Sequence, residues 1–123
     1  MANPNIVNVT SIYGNTSYLI PATTGATNWA ALTPAVGTVN KVNNIVASNV
    51  TGSAVPVTVS VNSATGGGGT AYRIAYQISV PANASLIVVD KTTSIYVGEA
   101  QSVVVTVGTS SAIELTASYE ALT

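Results

Sequence analysis

The 123-residue chain has no cysteine, no histidine and no phenylalanine, a single tryptophan, and only seven charged side chains. Each absence closes a branch of chemistry. Without histidine, the commonest general base and metal-ligating imidazole is missing; without cysteine there is no thiolate nucleophile, no soft-metal ligand and no disulfide. Apart from tyrosines and chain ends, the ionisable groups are Lys41, Arg73, Lys91, Asp90, Glu99, Glu114 and Glu120. Three scattered cations and a net charge of −1 make no field for a phosphate backbone or an anionic bilayer. Neither nucleic acid nor membrane is expected as a partner. The sequence offers no catalytic, cofactor-binding or metal-ligating set, and a non-enzymatic protein without a cofactor is expected.

Scarcity of charge also speaks to surroundings. A folded chain of this size exposes roughly 6,000 Å², and a surface built for free solubility is about 25–35% Lys, Arg, Glu and Asp. Here charged residues make up 6% of the chain. A surface of Ser, Thr, Asn, Ala and Val can be covered with little charge desolvation, so the chain is expected to be a component of a permanent assembly.

What is present is aliphatic and β-branched: nineteen Val, nine Ile and five Leu, enough for one core without a metal or a disulfide. The length suits a single domain over residues 1–123, with an N-terminal arm over residues 1–11 in which Pro4 restricts the chain to an edge or extended role. The opening MANPNIVNVTSIYG has neither a basic leader nor an unbroken apolar run, and no stretch approaches the ~20 apolar residues of a membrane span. Synthesis and assembly in a cytoplasm are expected.

Alternation of apolar and polar residues, the period of a half-buried strand, dominates the chain. Val55, Val57, Val59 and Val61 alternate with Pro56, Thr58 and Ser60; Tyr72, Ile74, Tyr76, Ile78 and Val80 alternate with Arg73, Ala75, Gln77 and Ser79. The second row is expected to face the core. Between them, Gly66–Gly69 reads as a hairpin tip that is mobile unless a neighbour holds it. Further strands are expected at Ile6–Val9, Ser17–Ile20, Val39–Val50 with a bulge near Asn43 and Asn44, Ala84–Val89, Ile95–Val97, Ser102–Val107 and Ala112–Tyr119. Consecutive Val103, Val104 and Val105 suggest a strand covered on both faces. Pro21–Thr38 is harder to place, with Trp29 to Leu32 suiting a helical turn or a short edge strand. Eight or nine short strands indicate an all-β, antiparallel two-sheet β-sandwich or jelly roll.

The remaining constellations are read as structural. Glu114 and Glu120 lie about 20 Å apart on one strand, beyond the ~5–9.5 Å of a glycosidase pair, and serve better as guards against edge-to-edge association. Asp90 beside Lys91 begins a turn and lacks the further carboxylates of a calcium site. The glycine run has no phosphate-loop lysine. Sequons at Asn8, Asn15, Asn49 and Asn83 arise readily in a chain this rich in Asn, Ser and Thr. Exposed tyrosines and a Trp29 loop could offer stacking platforms to a host glycan, although Tyr72 and Tyr76 are expected in the core.

Three stretches, VNKVNNIVASNVTGSAVPVTVSV (Val39–Val61), ISVPANASLIVVDKTTSIYVGEAQSVVV (Ile78–Val105) and IELTASYEAL (Ile113–Leu122), resemble small β-sandwich structural proteins of tailed bacteriophages, including phages of cyanobacteria. The resemblance implies a virion structural protein: capsid decoration or cement, or alternatively a neck, tail or fibre module. It implies as partners the major capsid protein or neck and tail proteins, together with copies of the chain itself, and a location in the virion. A glycan-binding adhesion module is the competing expectation.

Overall fold

β-Branched residues crowd a helix at χ1 and pack well on a pleated surface, and the computed structural model, which describes residues 3–123, is all-β. Met1 and Ala2, part of the expected arm, lie outside the described residues. Nine strands follow in order: β1 (Ile12–Leu19), β2 (Thr27–Asn28), β3 (Val39–Asn49), β4 (Val55–Asn62), β5 (Ala71–Val80), β6 (Ser85–Val89), β7 (Ile95–Val97), β8 (Ser102–Val107) and β9 (Ile113–Leu122). They form two antiparallel sheets. The first has the order β1-β9-β3-β6, with β7 also paired to β3; the second has the order β2-β8-β4-β5.

The core lies between the sheets. Ile45 and Ala47 of β3 and Ile113, Leu115 and Ala117 of β9 meet Val55, Val57 and Val59 of β4 and Val103, Val105 and Val107 of β8. Each fully buried Val, Leu or Ile contributes about 1.5–3 kcal/mol. The segment Pro21–Thr38 supplies a plug: Trp29, at the N-cap of a 3-10 turn over Ala30–Leu32, and Leu32, the last residue of that turn, are both buried. The Trp29 indole N–H donates to Ser17 Oγ at 2.9 Å, tying the plug to β1.

Several expectations are met. β8 is covered on both faces, with Val103, Val104 and Val105 all buried. The period break in β3 is a bulge, since Val42 pairs with Tyr119 but Asn44 with Ser118, leaving Asn43 as the extra residue. Buried Asn49 is saturated: its Nδ2 donates to Ser53 O and Val80 O, and its Oδ1 accepts from the Thr51 amide and hydroxyl. Such saturation is what allows a polar side chain in the interior.

Other expectations are corrected. Ile6–Val9 is not a strand; Asn5 folds the chain into a turn, its Oδ1 accepting from Val7 N and its carbonyl from Asn8 N. The segment is tied to its own domain at both ends. Asn3 Oδ1 accepts from Glu99 N, and Ser11 exchanges backbone bonds with Thr123. The glycine run does not project: Gly67 N donates to Ser102 Oγ, Asn62 Nδ2 to Gly67 O and Ser102 Oγ to Ala64 O, so the loop folds onto the outer face of β8. A Cβ on Gly67, at φ +83°, would meet Val104 at 3.4 Å, and glycine alone combines that φ with that approach.

The largest correction concerns β5. Val57 pairs with Ile78 but Val59 with Ala75, and Ser60 with Arg73, so β5 holds two extra residues. Gln77 takes a left-handed φ of 49°, and its amide is caught by Thr58 Oγ1. Each bulge resets the alternation. Only Ala75 and Val80 of β5 are buried, while Tyr72, Ile74, Tyr76 and Ile78 are exposed.

Candidate assembly surface

Sheet edges are where this fold can join another chain, because an edge strand leaves a row of backbone N–H and C=O groups unpaired. Each edge is guarded to a different degree. β2 and β7 span two and three residues. β6 is five residues long, with Ile87 exposed on the outer face. β5 is long but twice bulged, and Arg73 sits with its guanidinium 5.2 Å from the Tyr76 ring centroid.

β1 carries no guard. Its eight residues pair with β9 in unbroken register from Ile12↔Leu122 to Leu19↔Leu115. It has no proline and no charge, and the first charged side chain in the sequence is Lys41. Ser11 and Thr123 form a doubly bonded pair, N to O at 3.3 Å and 3.0 Å. Antiparallel pairing alternates bonded with non-bonded pairs, so Tyr13, Asn15, Ser17 and Leu19 direct their backbone groups at β9. Ile12, Gly14, Thr16 and Tyr18 direct theirs at the open edge. Ile12, Tyr13 and Tyr18 are 60%, 63% and 75% exposed.

A second feature lies on the outer face of the first sheet. A depression of about 460 Å³ is lined by Lys41, Asn43, Asn44, Val46, Ile87, Asp90, Lys91, Ser118 and Glu120. Four of the seven charges meet there. Both carboxylates are engaged by their own chain: Glu120 accepts from Asn43 Nδ2 at 3.1 Å, and Asp90 Oδ1 accepts from the amides and hydroxyls of Thr92 and Thr93. These bonds cap the Lys91–Thr93 turn and hold the Asp90 carboxyl below its usual range, the Thr92 hydroxyl foremost.

Glu114 and Glu120 share the outer face but stand on β9, between β1 and β3, so they guard no edge. Trp29, 1% exposed, is no stacking platform. Tyr72 and Tyr76 lie outside the core. Among the described residues no three His, Cys, Asp or Glu side chains gather as a metal set. No helix there is long and apolar enough to cross a membrane. The β1 edge was not legible as a site, because edge status depends on which strands pair.

The chain matches no protein-family model and no curated protein. Among solved structures it is similar to a chain of the Bacillus endospore appendages, described as disulfide-linked pili, at 18% identity and a TM-score of 0.44 over 91% of this chain and 86% of that one. It is also similar to a chain of the virus-like particle of the extra small virus of the giant freshwater prawn Macrobrachium rosenbergii. There the identity is 14% and the TM-score 0.41, over 97% of this chain and 85% of that one. With no cysteine, this chain cannot be linked by disulfides.

Proposed function

We propose that this chain is a non-enzymatic structural subunit of a tailed-phage virion, a capsid decoration or cement protein that associates through uncharged β-rich surfaces. The observation that carries the reading is the surface itself. An area of 6237 Å² is served by seven charged side chains, of which Glu99 is buried, and it exposes large apolar residues on β1, β5 and β6. Such rows mark interaction sites on a soluble fold. The resemblance of Val39–Val61, Ile78–Val105 and Ile113–Leu122 to phage β-sandwich proteins supplies the virion context. Neck, tail or fibre placement is the alternative, and the glycan-binding reading loses its Trp29 platform. Imaging of purified particles tests the proposal: density for this fold at regular positions on the shell is expected, neck or fibre density selects the alternative, and absence of the chain from the particles overturns both.

A further inference from the structure

We infer that β1 is a two-fold joint, pairing antiparallel with β1 of a second copy so that the first sheets of both copies run on as one. The inference rests on the assembly reading above, and names the partner at that edge.

Four properties of the strand carry it. The edge is open and regular, with Ile12, Gly14, Thr16 and Tyr18 all presenting backbone donors and acceptors outward. Those four residues are symmetric in size about Asn15: large, small, small, large. A two-fold axis at Asn15 therefore sets Ile12 opposite Tyr18 of the second copy, and Gly14 opposite Thr16. Tyrosine against a β-branched residue is a favourable cross-strand pair, and a Cβ on Gly14 would meet nothing within 4 Å, so the axis is uncrowded. In this register every outward group finds a partner, giving about eight backbone hydrogen bonds, two for each doubly bonded pair.

The third property is the absence of charge. Across a two-fold axis residues face their own kind or near neighbours, so a charged residue near the centre would face its like. β1 has none, and neither do the nineteen positions between it and Val39. The fourth is the contrast with β5, whose bulges and Arg73 break the regular row that pairing needs. Strand order across the joint would be β6-β3-β9-β1, then β1-β9-β3-β6 of the second copy.

The test uses the full chain and two variants that spare the β9 ladder. Thr16→Pro deletes an outward N–H, and Tyr18→Lys places a cation opposite Ile12; proline and lysine are natural guards of open edges. Sedimentation equilibrium of the wild type should show a dimer. Each variant should weaken it by roughly 10- to 100-fold, because Thr16→Pro removes two hydrogen bonds per dimer, one from each copy. Ile78→Lys on β5 should leave the dimer within about twofold. Retained circular dichroism separates loss of pairing from loss of fold, and Tyr18→Lys stands if Thr16→Pro does not fold. A monomeric wild type, or a dimer unmoved by Tyr18→Lys and disrupted by Ile78→Lys, overturns the inference. Particle binding is scored separately. A monomer that still decorates particles sinks the joint and leaves the virion reading intact, whereas a β1-dependent dimer absent from particles does the reverse.

Discussion

β1 and β5 are both long strands at sheet edges, and both display Ile and Tyr to solvent, yet they solve the edge problem in opposite ways. β5 has two extra residues, a left-handed Gln77 held by Thr58, and an arginine over one of its tyrosines. Its side chains are apolar while its backbone is irregular. β1 keeps eight residues in straight register and exposes alternate backbone groups with no charge nearby. Exposed apolar side chains alone do not make a joining edge; a regular unpaired backbone beside them does.

The comparison breaks most severely if the strands are not rooted as described. Leu115→Ala, on β9 opposite both Leu19 of β1 and Ala47 of β3, should lower stability by about 2–5 kcal/mol in urea denaturation, as core truncations do. Ile74→Asp on β5 should leave a folded protein, with a change under about 1 kcal/mol, because Ile74 is 38% exposed at a bulge. Between these two effects stands Gln77→Val. A β-branched residue at φ 49° should cost about 1–2 kcal/mol, and Gln77→Gly should cost nothing or stabilise. Equal stability of both variants would mean that β5 has no bulge there.

These contrasts also show what the sequence made legible. Strict alternation in β4, the buried triplet in β8 and the Asn43 interruption in β3 were all readable, since each depends on local period. The facing of β5 was not. Its alternation from Tyr72 to Val80 is unbroken in the sequence, and the two bulges arise only from how β4 pairs with it. β1 was half visible: Ser17–Ile20 reads as a strand, but Gly14 and Asn15, both depleted in strands, hide its first half, which forms because the end of β9 lies beside it. Trp29, followed by Ala30, Ala31 and Leu32, lies in a segment without a strand or helix period, so its place as the plug of the sandwich is not legible.

Smaller effects concern solution conditions. Association through β1 should change less than about twofold between 0.05 and 1 M salt, because no ion pair is available at that edge and exposed pairs contribute only ~0–1 kcal/mol. A salt-driven dissociation, followed by light scattering, would move the joint to the charged depression at Lys41, Lys91, Asp90 and Glu120. The smallest change is confined to the Lys91–Thr93 turn. Its Asp90 carboxyl has a lowered pKa, so the cap is complete above the ordinary value of 3.8 and is lost as pH falls through the lower folded value. Amides of Thr92 and Thr93 should lose protection there while β1 is unaffected.

The most direct measurement is residue-resolved amide exchange along β1 in the associated protein. Tyr13, Asn15, Ser17 and Leu19 bond to β9 and should be protected in monomer and dimer alike. Ile12, Gly14, Thr16 and Tyr18 should be protected only in the dimer, and should exchange freely once Tyr18→Lys separates the copies. Free exchange at those four positions in an intact assembly would contradict the account, because the open edge of β1 would then be joined to nothing.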